Sequence, residues 1–179
     1  MADMCSNKLF IVGPKDAIDD FAAAARGPNG DGEASWISFH RLHPDPHVPL
    51  DPIPKTHDWY DWRIKNWGTH REVVAKTPEW SPRTSKVSRD YFFRTAWTHP
   101  EPLIEHVSRK WPTIRFEMKW HAPADDRSGI YVYKAGKCLL KKSSPGNKWW
   151  MHQTIDMTLN ANWDWDWGWD KCAGSLTKR

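Results

Sequence analysis

Two strand–helix–strand patterns, separated by a proline-rich connector, determine the fold that this sequence predicts. The first comprises an apolar strand at residues 8–12, an amphipathic helix and a strand at residues 35–40. The second comprises a strand at residues 91–98, a helix at 100–111 and a strand at 113–121. Short apolar runs that end at Gly or Pro indicate strands, and apolar residues three or four apart indicate helices. We therefore predict an α+β fold, a ferredoxin-like split βαβ sandwich with two helices on one face of an antiparallel sheet.

The predicted strand at residues 113–121 alternates strictly between apolar and polar side chains, so one of its faces is charged. A hairpin at residues 129–141 follows it and adds two tyrosines. Such a basic, aromatic sheet face is typical of proteins that stack the bases of single-stranded DNA or RNA. The residues with this potential role are Arg94, Arg115, Lys119, Tyr131 and Tyr133. Glu117 lies in the middle of this face and the RNP1 motif is absent, so the alternatives are an ordinary solvated surface and a face covered by the aromatic segment at residues 58–69.

A Pro- and Trp-rich segment at residues 43–90 is inserted into the predicted domain, which spans residues 1–145. Five prolines at residues 43–55 predict an extended connector, because proline breaks helices and central strands. Residues 58–69 crowd aromatic rings among charged residues, with neither a helical stripe nor alternation. We predict that they form an irregular plug against the sheet instead of a regular element. Its three tryptophans, predicted to lie in the core, are Trp59, Trp62 and Trp67.

The C-terminal residues 146–179 form a Trp-rich extension, packed on the domain or projecting from it. In its second half indoles alternate with aspartates, so a strand there would have one indole face and one carboxylate face. Tryptophan is strongly enriched at binding hot spots, so we predict that the extension contacts a partner. The residues predicted to bind the partner are Trp149, Trp150, Trp163, Trp165, Trp167 and Trp169. A role of the same rings in covering the core is the alternative.

Composition limits the partners and the compartment. The net charge is +4 without long runs of like charge, which permits nucleic acid as a partner without indicating it. The three cysteines, Cys5, Cys138 and Cys172, form no C-x-x-C pair and are read as reduced thiols of a cytoplasmic protein. The sequence shows no signal peptide and no apolar run of membrane-spanning length, so we expect no membrane partner.

The sequence contains no recognisable catalytic or metal-binding motif. His40, His43 and His47 are close together, but prolines separate them and no Cys or Glu accompanies them, so we interpret them as loop histidines. The aspartates of the C-terminal extension do not match the spacing of a calcium loop. Cys138 is predicted to be a buried, inert thiol in a strand. We therefore predict no catalytic residue, metal or cofactor, and an enzyme of unknown chemistry is the weakest interpretation.

Residues 7–141 resemble the YubB-like family of small ferredoxin-like proteins carried by conjugative plasmids and phages. The resemblance is carried by Asn7-Lys8-Leu9 with Gly13-Pro14, Arg63-Ile64-Lys65-Asn66-Trp67-Gly68-Thr69, Thr95-Ala96-Trp97 followed by Pro100 and Pro102, and Gly129-Ile130-Tyr131-Val132-Tyr133. It implies a fold and a mobile-element setting. It implies no established activity and no functional residues.

Together these observations give a leading hypothesis and two alternatives. The first is a non-catalytic binding protein of a phage or plasmid, which acts in the host cytoplasm. It would dock on a host protein, above all a nucleic-acid-targeting defence complex, and inhibit it as an anti-CRISPR protein does. The alternatives are a protein that binds single-stranded nucleic acid through the basic sheet face and an enzyme of unknown chemistry. Fold does not decide among them.

Overall fold

The structure is a computed structural model that describes residues 3–47, 57–74 and 87–145. Its helices are α1 (Lys15–Ala25), α2 (Phe39–Leu42), α3 (Asp58–Trp67) and α4 (Glu101–Lys110). Its strands are β1 (Met4–Val12), β2 (Gly27–Pro28), β3 (Ala34–Ser35), β4 (Ser88–Ala96), β5 (Arg115–Ala122), β6 (Arg127–Lys134) and β7 (Lys137–Pro145). None of the helices in these ranges is long and apolar enough to cross a lipid bilayer.

The main sheet has five antiparallel strands in the order β4-β1-β5-β6-β7. Leu9 at the centre of β1 lies opposite Tyr91 of β4 and Met118 of β5. Because β4 and β5 both run antiparallel to β1, they are parallel to each other, and α4 connects them as a split βαβ unit. The predicted ferredoxin-like α+β fold is confirmed. The predicted hairpin is also formed, and its turn residues Ala135 and Gly136 both have positive φ.

The hydrophobic core lies on one face of this sheet. Every second residue of β1 is buried, which is the pattern of a strand with one covered face. The residues that α1 and α4 contribute to the core are Ile18, Phe21, Ala25, Leu103, Ile104 and Val107. The Phe21 ring sits between three aromatic rings, those of Tyr91, Trp111 and Phe116, each in an edge contact. Helices α2 and α3 add Phe39 and Trp67 to the same core, so four helices contribute where two were predicted.

The strand predicted at residues 35–40 is wrong. β3 ends at Ser35 and pairs with β2 in a separate two-stranded sheet, and α2 begins at Phe39. The helix forms because the Glu72 carboxylate, distant in sequence, accepts hydrogen bonds from the backbone N–H groups of Phe39 (2.6 Å) and His40 (2.8 Å). These N–H groups at the start of a helix have no partner within it, and a carboxylate satisfies them.

The irregular plug predicted at residues 58–69 is also wrong, because residues 58–67 form helix α3. Its buried face carries Arg63 beside Trp67, so an arginine occupies a position where helical periodicity would show an apolar residue. Of the three tryptophans predicted to be core, Trp67 is buried and Trp62 packs against the core. Trp59 is half-buried and lies under the Arg63 guanidinium.

Candidate functional site

The structure divides the predicted nucleic-acid-binding residues between the two faces of the sheet. Arg94 and Lys119 lie at register positions opposite Ser6 and Lys8 of β1, on the face away from the helices, and Arg115 shares that face. Tyr131 and Tyr133 lie on the other face, are nearly fully buried and contact each other edge to face. The predicted combination of basic and stacking residues on one surface is therefore not assembled.

The cations on the face away from the helices are paired with carboxylates. Glu117 is only 4% exposed and lies 3.4 Å from Arg115 Nη2 and 3.8 Å from Lys119 Nζ. Lys8 lies 3.8 Å from Asp90. Burial raises the pKa of Glu117 and lowers the pKa of Lys119, as expected for charges withdrawn from water. These pairs reduce the positive potential available to a phosphate backbone.

The other predicted sites lie elsewhere or outside the described residues. Trp149, Trp150, Trp163, Trp165, Trp167 and Trp169 fall in residues 146–179, which the structure does not describe. Cys138, predicted to be buried, is exposed on β7, whose residues are mostly exposed. His43 stacks on His106 with ring centroids 3.8 Å apart, and His40 and His47 contact Asp45. Within residues 3–47, 57–74 and 87–145, no group of three His, Cys, Asp or Glu side chains could hold a metal ion.

The motif residues singled out in the sequence meet at the end of β4. Asn7 Nδ2 donates to Thr95 Oγ1 (2.8 Å), and this hydroxyl donates to the Thr98 carbonyl (2.6 Å). Thr69 Oγ1 donates to the Ala96 carbonyl at 3.0 Å. All three donors are buried, so each bond also satisfies a group that has lost its water. Together they fix the turn that links β4 to α4.

Trp97 occupies the first position of this turn in an unusual conformation. Its φ is 69°, in the left-handed region that bulky residues rarely adopt. Its indole is nevertheless 50% exposed, and its backbone N–H donates to the Asp3 carbonyl at 2.8 Å. The fold therefore holds a large aromatic ring half out of the surface at a cost in backbone strain.

Beside Trp97, the turn and strands β5, β6 and β7 enclose a cleft of about 270 Å³. Its inner wall is aromatic, since the His99 imidazole stacks on the Trp120 indole with centroids 4.0 Å apart and the Tyr131 ring lies 5.4 Å from His99. Gly129 makes the stack possible. A Cβ there would lie 2.7 Å from the Trp120 ring and 2.7 Å from the Lys142 carbonyl oxygen.

Two polar groups of the inner wall lack hydrogen-bond partners among the described residues. They are His99 Nδ1 and the Tyr131 hydroxyl, both of which are buried atoms. Burial lowers the pKa of His99 to about 4, so its imidazole is uncharged at neutral pH. Burial also raises the pKa of Tyr131 well above its ordinary value, which keeps the phenol protonated. The inner wall is therefore uncharged but has unused hydrogen-bonding capacity.

The rim of the cleft is charged. Glu101, at the first position of α4, accepts a hydrogen bond from the Tyr133 hydroxyl (3.0 Å) and forms an ion pair with Lys141 (2.7 Å). Burial and the bond to Glu101 raise the pKa of Tyr133. Two further cations, Arg127 and Lys142, and one further carboxylate, Asp125, also line the cleft. Once Glu101 and Lys141 are paired, the described residues of the remaining rim have a positive excess.

The cleft was not predictable from the sequence, although Trp97 lies within one of its recognisable motifs. His99 and Glu101 are two residues apart, but Lys141 lies 40 residues beyond Glu101, and the three follow no recognised spacing. A usable signal was the Thr95-Ala96-Trp97 block followed by Pro100 and Pro102, because prolines around a helix start indicate a sharply defined turn. The depth of the cleft depends on Gly129. Its missing side chain is important because Gly129 pairs with Trp120 across β5 and β6, and the sequence alone does not show this pairing.

We expect His99 to make stability fall in acid. Because its folded pKa of about 4 lies below the ordinary value of 6.5, the unfolded chain binds more protons between these values. The contribution is complete above pH 6.5 and is lost as the pH falls to about 4. Linkage gives a loss of about 2 kcal/mol, after discounting for the partial exposure of the ring.

Urea denaturation of the protein and of His99→Phe, from pH 7 to 4, measures this effect. Phenylalanine preserves the stack on Trp120 but cannot be protonated, so the variant should lose about 2 kcal/mol less than the wild type over this interval. The wild-type curve includes other histidines with lowered pKa, His70, His106 and His121, which the comparison cancels. Parallel curves for the two proteins would contradict the assignment.

Comparison with known proteins supports the fold. Residues 79–148 match a family model described as a ferredoxin-like domain in Api92-like protein. The structure is similar to that of protein api92 from Yersinia pseudotuberculosis, with a TM-score of 0.55 over 82% of this chain and 99% of the other. The two sequences are 10% identical, so this likeness shows a shared fold only. No curated protein matches the sequence significantly. The chain is thus similar in fold, and over residues 79–148 in sequence, to Api92-like proteins.

Proposed function

We propose that this protein is a non-catalytic binding protein that docks on a host protein and inhibits it. The observation that carries this proposal is Trp97, whose half-exposed indole is held on a backbone with φ of 69°. Strained residues persist only where the surroundings enforce them, and they cluster at functional positions. Tryptophan is the residue most suited to anchor an interface, because a large rigid ring buries much area at little entropic cost.

The surroundings of Trp97 support binding more than catalysis. The motif side chains Asn7, Thr69 and Thr95 are used in hydrogen bonds that shape the turn. Glu101 is the carboxylate of the cleft that lies nearest to Trp97 in the sequence. It is already paired with Lys141 and Tyr133. A general acid or base needs a free position within hydrogen-bonding reach of a reacting group, and this carboxylate is engaged twice.

We further propose that the partner is a component of a nucleic-acid-targeting defence complex in the host cytoplasm. Support comes from the resemblance to the YubB-like family, whose members are carried by plasmids and phages, as anti-CRISPR proteins are. The tryptophans of residues 146–179 would provide a second set of anchors. Binding of single-stranded nucleic acid by the sheet face is less well supported, because Arg115 and Lys119 are paired with Glu117.

The test is a binding assay against purified defence complexes of the host, with loss of nucleic-acid binding by the complex as the readout. Trp97→Ala should weaken binding by at least about thirtyfold, since anchor residues contribute about 2 kcal/mol or more. Trp36→Ala is the matched control, because that indole is similarly exposed (41%) but stacks on Arg26 away from the cleft. Its affinity should be unchanged.

Removal of residues 160–179 tests the second set of anchors. We expect weaker binding with an unchanged melting temperature, since a contact made only in the complex does not affect the free domain. Two outcomes would contradict the proposal: full inhibition by both Trp97→Ala and the truncated chain, or no inhibition of any defence complex by the intact protein. Turnover of a substrate that is abolished by Glu101→Gln would favour the enzyme hypothesis.

A further inference from the structure

The cleft beside Trp97 has a composition that matches one class of small ligand. It combines an uncharged aromatic inner wall, unsatisfied polar atoms within that wall and a positive rim. We propose that the cleft binds a nucleotide, with its base against the Trp120–His99–Tyr131 wall and its phosphate near Arg127 and Lys142. Trp97 also lines this cleft, but the proposal rests on the wall and rim residues and not on its docking role.

The dimensions of the cleft favour a single ring system with one substituent. At about 270 Å³ it is just below the range of roughly 300–1,000 Å³ that holds drug-sized ligands. Nucleobases stack readily on indole, phenol and imidazole faces, since every base has a π-face.

The unsatisfied atoms favour a heterocycle over a hydrocarbon ring. His99 Nδ1 and the Tyr131 hydroxyl have no partner among the described residues, and Tyr131 is fully buried. A buried polar atom without a hydrogen bond costs about 1–3 kcal/mol. Both atoms are covered in the free protein, so a ligand reaches them only when the ring side chains of the inner wall shift. A nucleobase then offers donors and acceptors at its edge, whereas the side chain of Phe or Leu would leave both atoms unsatisfied.

The rim favours an anionic substituent. Of its three cations, Lys141 is paired with Glu101, while Arg127 makes a long contact of 3.5 Å with Ser143 Oγ. Arg127 and Lys142 are both exposed, so they can turn toward a phosphate at little cost in packing. Among the described residues Asp125 is the remaining carboxylate of the rim, so Arg127 and Lys142 leave an excess of one positive charge. Guanidinium groups bind phosphate oxygens through two parallel hydrogen bonds.

Calorimetric titration of the full chain tests the proposal with four probes: nucleoside 5′-monophosphates, the matching nucleosides, ribose 5-phosphate and N-acetyltryptophanamide. The monophosphates should bind, the nucleosides should bind about tenfold more weakly, and the other two should not bind measurably. A 5′-phosphorylated tetranucleotide shows whether the cleft binds a free nucleotide or the 5′ end of a nucleic-acid strand. Affinity above that of the mononucleotide assigns the cleft to the end of a strand, and equal affinity assigns it to a free nucleotide.

Charge-matched double variants locate the site. Arg127→Ala with Lys142→Ala should weaken monophosphate binding about tenfold and leave nucleoside binding unchanged. Lys134→Ala with Lys137→Ala, two exposed cations at the β6–β7 turn, is the control and should change neither. Because both variants retain Trp97, docking on a host protein is scored separately. The proposal is overturned if the monophosphates do not bind, if the two variants behave alike, or if N-acetyltryptophanamide binds as tightly as the nucleotide.

Discussion

Replacing Asp45 with alanine is expected to lower the free energy of unfolding by about 3–5 kcal/mol, a large fraction of the stability of a domain this size. The Asp45 side chain is completely buried and its Oδ2 lies 2.5 Å from Arg63 Nε. Its other oxygen accepts from the backbone N–H (2.8 Å) and ring Nδ1 (2.9 Å) of His47. Without the carboxylate, the Arg63 charge would remain in a site from which water is largely excluded.

The expected loss is large because little else can compensate Arg63. Its side chain is 10% exposed, and its remaining hydrogen bond, to the His70 carbonyl, is long at 3.4 Å. The rings of Trp59 and Trp67 lie 5.4 and 4.8 Å from the guanidinium carbon, and cation–π contacts of this kind contribute about 0.5–2 kcal/mol. They attenuate the penalty of an unpaired buried charge and do not remove it.

Urea denaturation at neutral pH measures the loss. The control is Asp61→Ala, which removes an exposed carboxylate from the first turn of α3 and should cost less than about 1 kcal/mol. Arg63→Met combined with Asp45→Ala should recover part of the loss, since it removes the unpaired charge as well. Similar stabilities for Asp45→Ala and Asp61→Ala would show that the pair does not hold α3 in place.

Acid should weaken this pair in a defined direction. Burial alone would raise the pKa of Asp45, but the hydrogen bonds from His47 and Arg63 outweigh it and hold the pKa below the ordinary value. For a carboxyl group with a lowered folded pKa, the stabilisation is complete above the unfolded pKa. It is lost as the pH falls through the folded pKa. As the pH falls, the protein therefore loses the His99 contribution first and the Asp45 contribution at lower pH. The reason is that the ordinary pKa of aspartate lies below that of histidine.

The strands and helix of the second half were predictable because their signals are local. The apolar residues of β5 recur at every second position and are all buried, and α4 places Leu103, Ile104 and Val107 on one buried face. Each pattern comes from one element facing one core, so neighbouring residues suffice to predict it. The β6–β7 hairpin was predicted for the same reason, from a Gly-containing turn between two short strands.

The elements that failed depend on residues far away in the chain. α2 requires the Glu72 carboxylate at its start, and the buried stripe of α3 contains Arg63 only because Asp45 is opposite. A pattern of apolar residues cannot reveal a buried charge whose partner is 18 positions away. The prediction that Tyr131 and Tyr133 lie on the basic face was wrong for a different reason. Alternation gives two faces but does not say which one the helices cover.

The cleft was unpredictable for a related reason. His99, Glu101 and Lys141 have ordinary sequence neighbours, and their chemistry arises from burial and from contacts across the sheet edge. Only the turn that holds Trp97 left a trace in the sequence, as a block of motif residues without recognisable chemistry. Those residues function as supports: they determine where a turn lies, and other residues supply the groups that face a ligand.

The second large effect is expected at Gly68, where alanine should lower the free energy of unfolding by about 3 kcal/mol. Gly68 ends α3 with φ of 85°, and its N–H donates to the carbonyls of Arg63 and Ile64. A Cβ there would lie 2.7 Å from Pro102 Cδ and 2.8 Å from the His99 carbonyl oxygen. The left-handed conformation costs about 1–2 kcal/mol for a residue with a side chain, and overpacking costs a further 1–3 kcal/mol.

Gly32 is a control that separates the two causes. Its φ of 80° is nearly the same, but a Cβ there would meet nothing within 4 Å, so Gly32→Ala should cost only about 1 kcal/mol. The excess loss in Gly68→Ala then measures the close approach of α3 to the turn before α4. Because that turn carries Trp97 and His99, the NMR signals of the Trp97 and Trp120 indole N–H groups should shift in Gly68→Ala and not in Gly32→Ala. Equal losses in the two variants, with unchanged indole signals, would mean that Gly68 is needed only for its left-handed backbone conformation and does not position the cleft.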